Sequence, residues 1–353
     1  MLNQQDSDHL AKLRTETKNT LRETIGDTRH VAIIDAPNQR NVGDSLIWEG
    51  ELAYLTQLGY EISYVCDLNS YDPKDVRRRL PKGGTVLLHG GGNFGDLWPG
   101  HQALRERAVA DLHDYRIVQL SQSVYFSDDE RARAANRVLG AHPDFRVLLR
   151  DTLSLQRASR LLPDLNCTFC PDMALGYSPR LPDGVAREPR EVLVIARADK
   201  ESASGLRSID SDWAAPYELH VTDWGLHASD PLGWKAARLV ARFNHKIVAV
   251  RRRLHVPLPS LPQRLLQRVV LYINARNADS ALRLYAQARA VVVDRLHAHV
   301  LSVLLGIPHV MLDNNYRKLG AVFDDYTGEF TTARYSLDLD DARRQTQEVL
   351  EQR

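Results

Sequence analysis

Two arginines and a histidine directly follow apolar runs that have the composition of buried strands. Arg150 comes after residues 147–149, and Arg295 and His297 come after residues 290–293. The planar fork of a guanidinium suits a carboxylate or a phosphate, and an imidazole transfers protons near neutral pH. Ligands of parallel sheets bind beyond the C-terminal ends of the strands. These side chains therefore predict a site that binds a small dianion and moves protons.

A glycine-rich loop is a second part of the predicted site. Residues 87–96 are expected to form a strand-to-helix turn. The loop contains the triplet Gly90, Gly91 and Gly92. Glycines let the backbone approach a ligand, and N–H groups at the start of the following helix favour an anion. A plain tight turn is the alternative, because the spacing matches neither a dinucleotide fingerprint nor a P-loop. Asn93 and Asp96, which follow, favour the binding role.

Residues 38–45 form a third loop of interest, after the first predicted strand. Asp44 or Ser45 is expected to cap the helix that follows, because both side chains can accept backbone N–H groups. Asn41 has no part in such a cap, which makes it a candidate binding residue.

Arg150 and the second histidine of the last loop are open to other interpretations. Arg150 could form an ion pair with its neighbour Asp151. His299 lies two positions from His297 and therefore on another face of the predicted helix, which argues against a two-histidine metal site. We expect His299 to pack within the helix.

Predicted strands and helices alternate along the chain. The expected strands are 30–36, 61–66, 85–89, 116–121, 146–150, 191–197, 218–222, 290–293 and 309–312. The expected helices are 8–25, 44–58, 102–114, 128–139, 280–288 and 297–305. The first helix is expected to pack on the N-terminal half. This alternation predicts an α/β protein with two doubly wound domains that leave a cleft between them.

Length and a break in this pattern indicate where the domains divide. The chain has 353 residues, and residues 176–189 place prolines and a glycine among charges, as linkers do. We expect an N-terminal helix in residues 1–26, a first domain in 27–180, a second in 190–325, and a tail or helix in 326–353.

Charge and cysteine content argue against several classes of protein. The net charge of +1 is not that of a nucleic-acid binder. The N-terminus lacks the apolar core of a signal peptide, and no apolar run is long enough to predict a transmembrane helix. Three cysteines suggest a reducing compartment, and Cys167 and Cys170 are expected to be ordinary thiols near a strand end.

One stretch of the second half has an unusual charge pattern. Residues 231–278 contain ten lysines and arginines, interleaved with apolar residues, and no aspartate or glutamate. One interpretation is a helical insert with a packed apolar face and a solvated basic face. The other is a basic amphipathic surface that contacts anionic lipid headgroups.

The motifs as a set resemble the polysaccharide pyruvyl transferases, a family that moves a pyruvyl group from phosphoenolpyruvate to sugar hydroxyls. They occur in the family's order and cover about residues 31–318. They are Asn41-Val42-Gly43-Asp44, His89-Gly90-Gly91-Gly92-Asn93, Arg150-Asp151 with Ser154, Pro171-Asp172, Arg295-Leu296-His297-Ala298, and the segment from Asp313 to Lys318.

The resemblance implies two Rossmann-like domains that face each other, as in the GT-B glycosyltransferases, with the site between them. It associates Arg150, Arg295 and His297 with phosphoenolpyruvate binding and catalysis, and it implies no metal or organic cofactor. The donor is also expected to contact the glycine triplet and Asn93. His297 is expected to be the acid, and Asp44 a proton acceptor.

The acceptor implied by the resemblance is a saccharide of an extracellular polymer, for which a lipid carrier is one option. Such polymers are assembled at the inner face of the membrane, which favours a cytoplasmic enzyme near that surface. The basic insert departs from the family pattern. The residues assigned to the acceptor side or to structure are Asn41, Asp96, Asp172, Tyr316 and Lys318.

Two other functions fit the same residues. A glycosyltransferase with a nucleotide-sugar donor would also use arginine and histidine to hold phosphates, and fold alone does not separate the two activities. A non-catalytic assembly protein could keep the fold, although the presence of Arg150, Arg295 and His297 argues against that function.

Overall fold

The computed structural model describes residues 2–198, 204–224, 230–256, 258–313 and 317–351, which form parallel β-sheets flanked by helices. The strands are β1 (His30–Ile34), β2 (Glu61–Cys66), β3 (Thr85–Leu88), β4 (Gly91–Gly95), β5 (Arg116–Tyr125), β6 (Phe145–Leu149), β7 (Asn166–Phe169), β8 (Glu191–Ile195), β9 (Glu218–Thr222), β10 (Ala288–Val293), β11 (His309–Leu312) and β12 (Ala333–Ser336). The α/β class predicted from the alternation is confirmed.

Helices connect most of these strands. They are α1 (Gln4–Ile25), α2 (Val42–Gln57), α3 (Pro73–Arg79), α4 (Pro99–Asp111), α5 (Asp129–Gly140), α6 (Thr152–Leu161), α7 (Pro231–Leu254), α8 (Gln263–Tyr285), α9 (Leu296–Leu305), α10 (Lys318–Asp325) and α11 (Leu339–Glu351). None of the helices in the described part of the chain combines the length and the apolar run that crossing a bilayer requires.

The first sheet has the strand order β2-β1-β3-β5-β6-β7, and β4 continues beside the second half of β5. The second sheet has the order β12-β11-β10-β8-β9. The order reverses between β1 and β3 in the first sheet, and between β8 and β10 in the second. Ligands of parallel sheets bind at such reversals, because the loops on either side lead to opposite faces and leave a crevice.

Apolar side chains cover both faces of the first sheet. Val31 and Ile33 point to one face of β1, whereas Ala32 and Ile34 point to the other, and each set joins a separate core cluster. Such continuous apolar strands are typical of parallel sheets with helices on both faces. One cluster also includes Ile195 of β8, so a single apolar core joins the two sheets.

Helix α1 contacts both halves of the chain. Asp6 accepts hydrogen bonds from the N–H (2.8 Å) and hydroxyl (3.0 Å) of Thr331, which lies before β12. Arg14 donates to the carbonyls of Leu175 and Tyr177, which follow β7. The expected packing of this helix on the N-terminal half is confirmed, and α1 contacts the C-terminal half as well. An amphipathic pattern shows that one face is buried but not which partner buries it.

The basic insert forms the helical pair α7 and α8, which packs on the edge of the first sheet. Gln263 Nε2 donates to the carbonyl of Val65 in β2 at 2.8 Å. Asn274 Nδ2 donates to the carbonyl of Pro37, and its Oδ1 accepts from Ser45 Oγ at 2.7 Å. These side chains tie the insert to the loop that follows β1.

Several boundaries differ from the expected ones. The helix expected at 280–288 is the end of α8, which stops at Tyr285, and Ala288 already begins β10. Strands β4, β7 and β12 and helices α3 and α6 are short and were not expected. β4 consists of three glycines, an asparagine and a phenylalanine, so it forms through its pairing with β5 rather than through strand propensity.

We expect Asp6→Ala to lower the free energy of unfolding by about 1–3 kcal/mol, because it leaves the Thr331 N–H without its acceptor. Urea denaturation measures this difference. Asp8→Ala, at an exposed position of the same helix, is the control and should change it little. Equal effects of the two substitutions would contradict the role of Asp6.

Candidate active site

A cavity of about 160 Å³ lies beyond the C-terminal ends of strands from both sheets. Its lining comes from β4 and the residues just after it, and from the segments after β1, β6, β8, β9 and β10. These segments lie beside both points where the strand order reverses. We call it the cationic cavity because four of its side chains are arginine or histidine near the strand ends. These are Arg150, Arg197, Arg295 and His297.

The buried carboxylate of Asp172 joins two of these side chains. Its Oδ2 lies 2.7 Å from Nη1 of Arg150 and 3.4 Å from Nε2 of His297. Arg150 and Asp172 are only 2% and 1% exposed. Arg150 follows β6 of the first sheet, and His297 lies in the first turn of α9 after β10. One carboxylate therefore fixes side chains from both sheets.

Opposing effects set the pKa of Asp172. Burial alone would raise the pKa, but the positive charges of His297 and Arg150 hold it well below its usual range. The N–H of Ala174 also donates to this carboxylate, at 2.8 Å. Asp172 is therefore ionised at neutral pH. Arg150 is further held by Ser123 Oγ, which accepts from its Nε at 2.9 Å.

Arg295 is oriented by Asp223, which follows β9. Nε and Nη2 of Arg295 each donate to a carboxylate oxygen of Asp223 at 2.7 Å, in a two-point contact. This geometry fixes the plane of the guanidinium, which also lines the cationic cavity. Arg197 and Trp224, from the neighbouring loops, line the same cavity.

The cap of α2 is Asn41, which corrects the expectation of Asp44 or Ser45. Asn41 Oδ1 accepts from the N–H of Gly43 at 3.0 Å, and its Nδ2 donates to Asp44 Oδ2 at 2.7 Å. The reason is that α2 begins at Val42, two residues earlier than expected. Asp44 lies in the first turn of α2, where its negative charge interacts favourably with the helix dipole. It also lines the cationic cavity.

Gly43 allows a close approach between α2 and His297. A Cβ at this position would lie 2.7 Å from His297 Nδ1. The imidazole is thus confined between the backbone of Gly43 and the pair formed by Asp172 and Arg150. The glycine of the Asn41-Val42-Gly43-Asp44 motif is explained by this contact.

The glycine triplet does not start a helix, and that expectation is wrong. Gly91 begins β4, and the next helix, α4, begins at Pro99. The N–H of Gly90 donates to Oε1 of the buried Glu51 at 2.8 Å, so it is not available to an anion. Gly91 has a φ of 126°, a backbone conformation that residues other than glycine rarely adopt. Of the three glycines, Gly92 lines the cationic cavity.

The two polar residues after the triplet have different environments. Asn93 lines the cationic cavity, and its Oδ1 accepts from Arg105 Nη2 at 2.7 Å. Asp96 accepts from the N–H groups of Ser127 and Asp128 and does not line that cavity. Asp96 therefore fixes the loop before α5.

Of three further predicted residues, Asp172 alone has a side chain that the structure describes. Asp172, assigned to the acceptor side or to structure, lies beneath Arg150 and His297 and does not line the cationic cavity. Lys318 is the first residue of α10. Tyr316 lies outside the described residues.

His299 is packed within the protein, as expected. It is fully buried, and its Nδ1 lies 2.7 Å from Nε2 of His309. Burial lowers the pKa of both imidazoles, that of His309 to about 4. Within the described ranges, no group of three or more His, Cys, Asp or Glu side chains is arranged to hold a metal ion.

A second cavity, of about 140 Å³, adjoins the first. The two share Gln39, Asp44, Asn93 and His101. We call it the acidic cavity because carboxylates and amides dominate its lining. The polar side chains found in this cavity alone are Asp35, Asn38, Asp67, Asn69, His89 and Arg238.

Imidazoles fix the carboxylates of the acidic cavity. His101 Nδ1 lies 2.7 Å from Asp35 Oδ2, and His245 Nε2, on α7, lies 2.7 Å from Asp67 Oδ2. Asp35 has a φ of 71°, an uncommon conformation that aspartate tolerates better than most residues. Burial would raise the pKa of Asp67, but the bond to His245 and its charge keep it lowered.

His89 forms a buried pair with Glu51 of α2. Its Nδ1 lies 2.9 Å from Glu51 Oε2. Burial would lower the pKa of His89, but the Glu51 carboxylate raises it. Nε2 of His89 is buried and has no hydrogen-bond partner among the residues that the structure describes, and the side chain borders the acidic cavity.

Some residues that line the two cavities, or that hold the lining residues in place, were not identified from the sequence. Arg197 and Asp223 follow β8 and β9, so the strand-end rule that selected Arg150 also applies to them. Asp35 likewise follows β1. Glu51 and His101 lie inside helices, and no local pattern distinguishes them from ordinary helical residues.

Comparisons with known proteins agree on one family. A family model described as polysaccharide pyruvyl transferase matches residues 41–316. Pyruvyl transferase 1 of Schizosaccharomyces pombe is 30% identical over 303 residues, which are 81% of this chain and 67% of that protein. The putative pyruvyl transferase EpsO of Bacillus subtilis is 26% identical over 319 residues, 89% of this chain and 90% of that protein.

A solved structure has a similar fold. The crystal structure of a functionally uncharacterised protein from Klebsiella pneumoniae matches with a TM-score of 0.55 at 14% sequence identity. The match covers 92% of this chain and 98% of that chain. At this identity the likeness concerns the fold alone.

We expect Asp172→Asn to lower the free energy of unfolding by about 3–5 kcal/mol at neutral pH, because it leaves the buried charge of Arg150 uncompensated. The folded-state pKa of Asp172 is lowered. Its stabilising contribution is therefore complete above the unfolded-state pKa of about 3.9 and is lost as the pH falls towards the folded-state pKa.

Urea denaturation of both proteins between about pH 8 and about pH 3 measures this contribution. The difference between wild type and Asp172→Asn should be constant above about pH 5 and should shrink at lower pH. Asp96→Asn, which removes a carboxylate bound to N–H and hydroxyl groups, is the control. A difference that grows as the pH falls would contradict this account.

Proposed function

The chain belongs to the polysaccharide pyruvyl transferase family, and on that premise we propose that it transfers a pyruvyl group from phosphoenolpyruvate to saccharide hydroxyls in the synthesis of an extracellular polysaccharide. The observation that carries the proposal is the cationic cavity, where Arg150, Arg295 and His297 surround a space suited to a small dianion. The family's description names polysaccharides, which supports a saccharide acceptor.

Arg150 and Arg295 bind the two charged groups of the donor. Phosphoenolpyruvate carries a carboxylate and a phosphate on one carbon, and each guanidinium presents several donors in a plane. Both side chains are held in position before the ligand arrives, by Asp172 and by Asp223. Preorganised donors bind an anion without the entropic cost of ordering long side chains.

His297 is the acid of the proposed reaction. It protonates the methylene carbon of the enol, and the adjacent carbon becomes electrophilic. An acceptor hydroxyl forms a C–O bond there and gives its proton to Asp44. The bond to phosphate then breaks, inorganic phosphate leaves, and a second hydroxyl closes the ketal with loss of its proton. The reaction needs no metal or organic cofactor, because the donor carries its own leaving group.

The acceptor saccharide binds in the acidic cavity. Carboxylates and amides bind hydroxyl groups well, whereas Asp35 and Asp67 would repel an anionic donor. The cationic cavity has the opposite preference. Asp44 lines both cavities, which supports a role for its carboxylate as the acceptor of the hydroxyl proton. Asn41 is beside it and orients its side chain.

We also propose that the two sheets belong to Rossmann-like domains that face each other in a GT-B-like arrangement. Each sheet reverses its strand order once, next to the cationic cavity, which supports this arrangement. A nucleotide-sugar glycosyltransferase is the alternative on such a scaffold, since the same arginines could hold a diphosphate. The family to which the chain belongs favours the pyruvyl donor.

We expect the protein to release inorganic phosphate from phosphoenolpyruvate when a saccharide acceptor is present. His297→Gln keeps a polar side chain that cannot be protonated, so transfer should fall by about 10²–10⁴-fold. Arg150→Lys keeps a charge for Asp172 but loses the fork, so phosphoenolpyruvate binding should weaken more than tenfold.

Arg150→Ala is a less suitable test of phosphoenolpyruvate binding than Arg150→Lys. It would leave the buried carboxylate of Asp172 unpaired and so destabilise the fold. His113→Gln and Arg131→Lys, at exposed positions, are the matched controls. Near-normal transfer by His297→Gln would refute its role. Binding of a nucleotide-sugar without phosphate release from phosphoenolpyruvate would support the glycosyltransferase instead.

Substitutions in the two cavities should affect the KM values of different substrates. Asn69→Ala, at an exposed position of the acidic cavity, should raise KM for the saccharide by a few fold and leave KM for phosphoenolpyruvate unchanged. Arg197→Ala should raise KM for phosphoenolpyruvate by about tenfold or more and change KM for the saccharide little. Steady-state kinetics with each substrate varied measure both; the reverse pattern would contradict the assignment of the cavities.

A further inference from the structure

Helix α7 exposes a continuous apolar stripe. Leu232, Leu239, Phe243, Val250 and Leu254 are between 41% and 78% exposed. Their spacing of seven, four, seven and four residues places all five on one face of the helix, because 3.6 residues complete a turn. Exposed apolar residues scattered singly are normal, whereas an aligned row of five marks an interaction surface.

A row of cations runs beside this stripe. Lys235, Arg242, Lys246 and Arg253 are exposed, and each lies three residues after a member of the stripe. They form no ion pair with the residues that the structure describes. The surrounding sequence, residues 231–278, contains no carboxylate that could neutralise them locally.

The opposite face of α7 is packed, so the stripe is not the result of a loosely attached helix. Ala241 packs with Val269 and Ile273 of α8 in a small core cluster. Arg251 forms ion pairs with Asp72, the N-cap of α3, and with Asp75 in the first turn of that helix. The helix is thus held firmly against the first half of the chain, with its stripe and its cations outward.

We propose that α7 docks the protein on the surface of an anionic phospholipid bilayer. The stripe enters the boundary between headgroups and acyl chains, and the four cations contact headgroup phosphates. Charge selects this occupant over a second copy of the chain. Two such faces in a symmetric dimer would bring together eight positive charges, whereas an anionic bilayer neutralises them.

Docking has a consequence for the site, although the proposal does not rest on the proposed function. The same helix carries Arg238, which lines the acidic cavity, and His245, which binds Asp67 of that cavity. A docked α7 would therefore hold this cavity close to the membrane surface. An acceptor saccharide attached to a lipid carrier would meet the acidic cavity there.

Vesicle co-sedimentation tests the proposal with the full-length protein. We expect binding to vesicles of phosphatidylcholine and phosphatidylglycerol that weakens as salt is added, and little binding to pure phosphatidylcholine. The double variant Leu239→Glu/Phe243→Glu should bind the anionic vesicles at least tenfold more weakly. Leu337→Glu alters an exposed leucine outside α7 and should bind like the wild type.

Thermal unfolding and transferase activity on a soluble saccharide complete the test. Both should be unchanged in the double variant, because its two positions are exposed and line neither cavity. If the wild type and both variants all failed to transfer a pyruvyl group, the proposed function would be refuted. The result on vesicle binding would be unaffected. Absent or salt-independent vesicle binding, or a dimer that the double variant dissociates, would overturn membrane docking.

Discussion

The carboxylate of Asp172 lies buried between the two sheets and is shared by Arg150 and His297. Without a partner, the nearly inaccessible guanidinium of Arg150 would be costly to bury. The attraction of the Asp172 carboxylate offsets most of this cost in free energy. Because Asp172 accepts from Arg150 beside the first sheet and contacts His297 beside the second, one carboxylate sets the relative positions of these two side chains. The cationic cavity depends on this constraint because Arg150 and His297 line it, although Asp172 itself does not.

The strand orders supply the rest of the geometry. Each sheet reverses its order once, and the loops beside both reversals open into the same cavity. Helices α2 and α8 reinforce this arrangement through polar contacts, because Asn274 binds both Ser45 and the carbonyl of Pro37. The charge difference between the two cavities then follows from which loops line each of them. Loops of the second sheet contribute two arginines and a histidine to the cationic cavity, and loops after β1 and β2 contribute carboxylates to the acidic one.

Much of this architecture could be predicted from the sequence, because buried parallel strands appear as short apolar runs and their C-terminal ends lie at one edge. Arg150, Arg295 and His297 were predicted on that basis and line one cavity. Asp44, whose role came from the family resemblance, lines the same cavity. The glycine triplet was misassigned because β4 forms through pairing with β5, which no local pattern predicts. The role of Glu51 was also not predictable, since it depends on α2 packing against the loop after β3.

Asp172 holds Arg150 and His297 ready for a small dianion that Arg295 also binds. A crystal structure of the protein with phosphoenolpyruvate, determined without acceptor, would show this arrangement. We expect the carboxylate and phosphate within hydrogen-bonding distance of Arg150 and Arg295, the imidazole of His297 beside the methylene carbon, and the contact between Asp172 and Arg150 preserved. Phosphoenolpyruvate bound in the acidic cavity, or Arg150 released from Asp172 to reach it, would refute this role of Asp172.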